Sequence, residues 1–453
     1  MRTSLCAVVA AGLVMALASP ASIGAQGPSR LAVPYTEFTL ANGLHVILHR
    51  DASVPIVTVN VWYHVGSGSE KPGRTGLAHL FEHLMFEGSK HVPEGSFDTW
   101  LEGAGANNNG STTVDRTNYY IDGPSNALEL MLFLESDRMA YLLDTMTPER
   151  VDGQRDVVKN ERRQGIENRP YGLPELELDS MLFPPGHPYS WSTIGSMDDL
   201  TAASHEDVQE FFRLYYAPNN ASLVVAGDID IEATKALVEK WFAEVPRGKP
   251  VPPVAPPAAM LTEVTRKTMT DKVQLPRLYL GWLTPATYRP GDAALDIVAS
   301  LLTGGKNSRL YKRLVYDLQI AQEVYAYQQS QALGSTFFVV ATARPGKSLD
   351  EIQKVIDEEI DRLAATPAEP RELERVRNQI EATFLRRAER VGGMYGKADQ
   401  LNAYYTMTGT PDFFEEDLSR YRALDAADIS SAVGTFLPRD RRVELIVMPE
   451  EKQ

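Results

Sequence analysis

The chain has 453 residues, 43% of them hydrophobic and 23% charged. That is globular composition, long enough for two or more domains. The formal net charge of −15 is accompanied by no long basic run, which argues against a nucleic-acid-binding surface.

In chain order, Arg2 precedes an apolar run from Leu5 to Ala18, and small residues follow, with Ile23-Gly24-Ala25 as a cleavage site. So short a run followed by cleavage chemistry predicts a signal peptide over residues 1–25, not a membrane span. The only cysteine, Cys6, falls inside it. The mature chain would then have no disulfide and no thiolate nucleophile or ligand. No other apolar run reaches spanning length. A periplasmic or secreted protein is expected.

Next, "YTEFTLANGLHVILHRD" reads as strand, Asn42-Gly43 turn, strand. "PIVTVNVWYHVGSGSE" is a further strand rich in β-branched residues. A helix is predicted over 76–89, and two β segments around Ser111–Thr113 and Thr117–Ile121. A long amphipathic helix follows, capped by Ser125 or Asn126, and then another opened by Thr147 and Pro148. "HEDVQEFFRLYYAP" is a helix stopped by Pro218, and "ASLVVAGDI" a buried strand. The stretch "EVPRGKPVPPVAPPAAM" holds six prolines and predicts a stiff linker over 245–260. Further β and α segments follow. The order helix, aromatic-Pro break, polar turn, strand in "RLYYAPNNASLVVAGDID" returns in "SSAVGTFLPRDRRVELIVMPE". The expected fold is α+β: two related domains of antiparallel-rich sheet and packed helices, 30–244 and 261–453.

The chemistry is concentrated in "GLAHLFEHLMFEGS", residues 76–89. At about 100° per residue, His79, Glu82 and His83 fit within an arc of roughly 100°. Leu77, Leu80, Phe81, Leu84 and Met85 spread over roughly 100–240°, the opposite side. One helix would bury its leucine face and turn a His/Glu/His cluster outward. Histidines at i and i+4 can share one zinc ion, and a catalytic zinc site keeps a position for water. Glu82 between them can act as general base on that water. The order H-x-x-E-H inverts the commoner zinc-protease motif. A third ligand must come from elsewhere. "QRDVVKNERRQ" offers Glu161, which spacing alone does not separate from Glu167 or Asp156.

These segments resemble the pitrilysin/insulinase/mitochondrial processing peptidase family of zinc metallopeptidases. The resemblance rests on "GLAHLFEHLMFEGS", on the spacing from His83 to the glutamate in "RDVVKNERRQ", and on "GANNNGSTTVDRTNYY", which is similar to the segment lining the family's substrate cleft. It implies His79, His83 and Glu161 as ligands of one zinc ion and Glu82 as general base. It also implies Asn109 and Phe86 as substrate-binding residues beside an edge strand that pairs with an extended peptide. Two departures stand out. Gln154 occupies a position where many members carry a second glutamate, and an amide lacks the charge that would support the ligands. In "SRLYKRLVYDLQIAQEVYAY", Val315 and Gln322 stand where self-sufficient members have an arginine and a tyrosine facing the scissile peptide. Arg313, Tyr316, Tyr325 and Tyr327 would each need a register shift. The pattern implies the metal-bearing subunit of a heterodimer whose half-sized homologous partner supplies the Arg/Tyr pair, with a homodimer as the other arrangement. A non-catalytic scaffold or a peptide-capture subunit is the alternative function.

Overall fold

The computed structural model describes residues 31–450. The expected signal peptide and Cys6 lie outside the described residues.

The first half comprises β1 (Thr36–Thr39), β2 (His45–Arg50), β3 (Ile56–Tyr63), α1 (Leu77–Leu84), α2 (Ser96–Gly103), β4 (Asn107–Thr112), β5 (Thr117–Pro124), α3 (Leu128–Tyr141), α4 (Pro148–Arg162), α5 (Gly172–Leu182), α6 (Met197–Ala202), α7 (His205–Tyr215), β6 (Ala221–Gly227) and α8 (Ile231–Phe242). The second comprises β7 (Thr265–Asp271), β8 (Arg277–Thr284), α9 (Asp292–Thr303), β9 (Ala321–Gln329), β10 (Ser335–Ala343), α10 (Leu349–Ala365), α11 (Pro370–Glu389), α12 (Lys397–Thr408), α13 (Phe414–Ala423), α14 (Ala426–Phe436) and β11 (Val443–Pro449). No helix among the described residues is long and apolar enough to cross a membrane.

The strands form two sheets, ordered β1-β2-β6-β3-β5-β4 and β7-β11-β8-β10-β9. With β1 set aside, the two orders are the same. In each, the first strand pairs parallel with the last, β2 with β6 and β7 with β11; the other pairings are antiparallel. The molecule is two mixed α/β domains built on one topology. The repeat read from the sequence, "SLVVAGDID" against "VELIVMPE", is β6 against β11, the strand at the same place in each sheet. Residues 246–262 carry no helix or strand. Their first part is tied back to the first half, where Gly248 N–H donates to Asn219 Oδ1 at 2.6 Å.

One face of each sheet makes a large core. In the first, Val57, Val59, Val61, Tyr119, Ile121, Leu223 and Val225 meet α1, α3, α7 and α8. In the second, Leu278, Leu280, Trp282, Phe337 and Val339 meet α9, α10 and α14. The opposite faces are covered reciprocally. Leu178 and Leu182 of α5 pack on Tyr279, Phe338, Val443 and Leu445 of the second sheet. From the second half, α12 lies on β3 and β6 of the first sheet. Asp399 Oδ1 accepts from Trp62 Nε1 and Asn118 Nδ2, both at 2.9 Å, and Asn402 Nδ2 donates to Asn60 Oδ1 at 2.8 Å. Each exchanged helix is entered through a Tyr-Gly pair whose tyrosine has positive φ, Tyr171 at 62° and Tyr395 at 64°. From Ala32 onward the chain is therefore a single interlocked unit.

Some local expectations need correcting. The helix over 76–89 stops at Leu84, and turns carry the chain to Ser89. Neither Ser125 nor Asn126 caps α3, which has no side-chain cap. A short 3-10 turn precedes it, and Ser125 Oγ donates to Asp228 instead. Thr147 does cap α4, its side chain accepting from Arg150 N–H, and Pro148 is the first helical residue.

Candidate metal centre

Helix α1 is only eight residues long, too short to persist unaided. Its apolar side, Leu77, Ala78, Leu80, Phe81 and Leu84, is buried in the first core. Its N-cap, Gly76, has φ of 90° and no side chain to offer. A Cβ there would stand 2.8 Å from the Ile194 carbonyl oxygen, so only glycine fits. The orphan donors at this end are satisfied from outside the helix. The buried Glu70 accepts from Gly76 N–H at 2.9 Å and from Ala78 N–H at 2.7 Å. Burial pushes the Glu70 carboxyl up to about 8, and the two N–H groups oppose the rise.

So anchored, α1 presents His79, Glu82 and His83 on its other side. Glu161 reaches in from α4. His79 Nε2 lies 3.6 Å and His83 Nε2 3.2 Å from Glu161 Oε2. The three ligand atoms lie within 4.8 Å of one another. The two rings meet edge-on at 4.9 Å between centroids. Of the three acidic residues that spacing left open, Glu161 is the one brought to the histidines. Asp156 is exposed, and Glu167 is engaged by Arg162 at 2.9 Å. Burial is the largest influence on His79 and lowers its pKa, favouring the neutral imidazole that can ligate a metal. Glu161 is held below the ordinary carboxylate range, chiefly by its bond to His83.

Glu82 faces the first sheet's edge strand. Thr112 Oγ1 donates to Glu82 Oε2 at 2.6 Å. A Cβ on Gly110 would stand 3.1 Å from Glu82 Cγ, so the strand passes directly beside this carboxylate. Strand β4 alternates: Gly110 and Thr112 lie on the Glu82 side, Asn109 and Ser111 on the other. Asn109 is exposed, and its Oδ1 accepts from Gly110 N–H at 2.8 Å. Phe86 is half-buried in an aromatic group, edge-on to Phe97 at 5.7 Å and to Tyr119 at 5.8 Å. Arg138 lies beneath that group, 4.4 Å from the Tyr119 centroid, paired with the buried Glu135. Gln154 is half-buried on α4, and its Nε2 donates to Glu87 Oε1 at 2.5 Å.

In the second half, Val315 packs against the core and Gln322 is exposed on β9. Arg313 is bonded to Glu359 at 2.8 Å and to Glu358. Tyr316 is exposed, while Tyr325 and Tyr327 stack on each other at 6.2 Å. Sequence reasoning missed Glu70, Thr112 and Glu87. No periodicity marks them: Glu70 reaches across a loop to the start of α1, and Thr112 and Glu87 bond groups 30 and 67 residues away.

A His/His/Glu cluster in a duplicated α+β fold defines a metallopeptidase fold. The insulinase (peptidase family M16) model matches residues 45–176, and the peptidase M16 inactive domain model matches 202–380. The chain is 30% identical over 379 residues to the zinc protease PqqE of Helicobacter pylori, covering 81% of this chain and 83% of that protein. It is 24% identical to a probable mitochondrial-processing peptidase subunit beta of Arabidopsis thaliana, covering 93% and 80%. A crystal structure of a protease from Helicobacter pylori superposes with TM-score 0.86 at 26% identity, covering 92% of this chain and all of that one. The periplasmic protease PqqL from Escherichia coli shares the fold, with TM-score 0.75 at 20% identity over 93% of this chain and 48% of that one. The chain belongs to the M16 (insulinase/pitrilysin) peptidase family, among its half-sized bacterial homologues.

Proposed function

We propose that this protein is an exported zinc metallo-endopeptidase acting on peptides or unfolded segments. The observation that carries the reading is the convergence of His79, His83 and Glu161 beside a glutamate turned toward a sheet edge. The donor set fits the ion: two imidazoles and one carboxylate are a usual catalytic zinc triad. Zinc held there would lower the pKa of a water and polarise the peptide carbonyl. Glu82 takes the proton from the attacking water and passes it to the leaving amine. Thr112 keeps the Glu82 carboxylate aimed along β4. As the last strand of its sheet, β4 has a free edge with which an extended substrate pairs, Asn109 exchanging its bond to Gly110 for one to the peptide backbone. Phe86 lends an apolar wall. Such a cleft requires a substrate with its own free backbone edge.

The rest of the reading follows from the same residues. Residues 1–25 direct export to the periplasm or medium, and 245–260 link the domains 30–244 and 261–453. With Val315 packed and Arg313 paired, neither position supplies a free arginine to the transition state. The chain then serves as the metal-bearing subunit of a heterodimer whose half-sized partner supplies an Arg/Tyr pair; a homodimer is the other arrangement. Those same residues favour, as a second reading, a scaffold or peptide-capture subunit of this fold. Hydrolysis of a quenched-fluorescent peptide separates the readings. The mature chain is assayed with its zinc content measured, alone and mixed with a half-sized homologue. Chelator-sensitive cleavage, lost in Glu82→Gln with zinc retained, supports the enzyme. Zinc without cleavage in either case supports capture or scaffold.

A further inference from the structure

The candidate metal centre is built across two helices. His79 and His83 stand on α1 and Glu161 on α4, so the separation of these helices sets whether three ligand atoms can share one ion. A second polar contact crosses the same gap. Gln154 precedes Glu161 by seven residues, two turns back on the same side of α4. Its Nε2 donates to Glu87 Oε1 at 2.5 Å. Glu87 sits in the turn that closes α1, where Phe86 N–H donates to His83 O at 3.0 Å and Glu87 N–H to Leu84 O at 3.1 Å. Its backbone is therefore fixed relative to the ligand-bearing turn, and the bond from Gln154 holds its carboxylate.

The surrounding charges leave Glu87 to this role. Arg150 is the nearby cation, and its Nη2 bonds Glu94 Oε2 at 3.1 Å. Burial and the neighbouring Glu94 raise the Glu87 carboxyl above its ordinary range, and Arg150, the Gln154 hydrogen bond and His83 oppose the rise. A half-buried carboxylate is costly to ionise unless it is hydrogen-bonded or paired, and the Gln154 amide supplies the hydrogen bond here.

We propose that Glu87, held by Gln154, is a positioning residue of the metal centre. It fixes the α1–α4 separation and supplies a negative charge within electrostatic reach of His83. Outer partners of this kind orient metal ligands and raise their basicity. Gln154 thus acts as the arm that keeps a carboxylate in place, and the charge comes from α1. The inference rests on the reading that this cluster holds zinc.

The test is the zinc dissociation constant of the full mature chain, measured by competition with a chromogenic chelator, for the wild type and three variants. Glu87→Gln removes the charge and keeps an amide. Gln154→Leu removes the arm. The double variant Glu87→Gln/Gln154→Glu moves the carboxylate from α1 to α4 and keeps one charge and one amide in the pair. Each single variant should bind zinc about 10- to 100-fold more weakly. The metal-free melting curve, followed in parallel, should barely move. The double variant should recover most of the loss; a merely structural role for the pair would instead show as a lowered metal-free melting curve in the single variants. Singles that bind zinc as tightly as the wild type, or a double no better than Glu87→Gln, overturn the inference and leave the metal centre itself standing. A wild type that binds no zinc overturns the proposed function, and this inference with it.

Discussion

The two halves share a sheet order, yet only one carries the metal cluster. With β1 set aside, helix α1 lies between the second and third strands of its half in chain order, and α9 lies in the same place in the second half. Where α1 offers His79, Glu82 and His83 at i, i+3 and i+4, α9 turns Asp296, Ala299 and Ser300 toward a cavity of about 560 Å³. Where α4 brings Glu161, α11 brings Gln379 and Thr383. Asp296 is half-buried and accepts from Tyr421 Oη at 2.7 Å, and desolvation pushes its carboxyl up to about 7. The fold thus supplies a niche between two helices and a sheet edge twice over. Three side chains, His79, His83 and Glu161, make one of the niches a candidate metal centre, with Glu82 beside them.

The comparison can be broken most directly by substitutions at matched places. His83→Ala should remove zinc binding altogether, while Ser300→Ala should leave one zinc per chain; elemental analysis of the purified chains decides it. Zinc loss in the second variant would mean that the halves are not independent at their niches. The next effect concerns the helix anchors. Glu70→Ala leaves two buried N–H groups of α1 unpaired and should cost about 4 kcal/mol in urea unfolding. The zinc affinity should fall with it, since α1 carries two ligands. Acid tests the seam between halves. His64 is half-buried beside Ser222 Oγ, at 3.2 Å, and Thr406 Oγ1 of α12, at 3.3 Å, and desolvation pushes its pKa down to about 4. The unfolded chain takes up this proton near pH 6.5 and the folded chain only near 4. Stability is therefore full above about pH 6.5 and declines as pH falls toward 4, by up to about 3 kcal/mol. His64→Gln should flatten that part of the curve. The smallest effect is expected at the exposed ion pair of Lys267 on β7 with Glu177 on α5. Lys267→Ala should cost no more than about 1 kcal/mol, less at high salt.

Most of the metal centre was legible because one eight-residue helix carries three of its four groups, and a 3.6-residue period can be read from the letters alone. Glu161 needed the resemblance, since Asp156 and Glu167 answer the same spacing. The sheet repeat was legible only at β6 and β11, whose buried β-branched runs stand out. Strand β7 was missed: Thr265–Asp271 is exposed along most of its length and shows no apolar alternation. The exchanged helix α12 was missed for the opposite reason. Its covered side includes Asp399 and Asn402, which bond to Asn60, Trp62 and Asn118 on the sheet beneath. A polar side facing a polar sheet leaves no hydrophobic stripe to read. The short pair Tyr-Gly, at 171–172 and 395–396, was the available sign that the two helices are equivalent.

That exchange has a consequence for what proteolysis of the chain can do. The stretch 246–262 lacks regular structure and includes an exposed Met260, which makes it the natural place for a cut. A cut there would not release two folded fragments. Each would leave behind, on the other, the helix that roofs its own sheet. The nicked molecule should elute as one particle of undiminished size, with its wound visible only after denaturation.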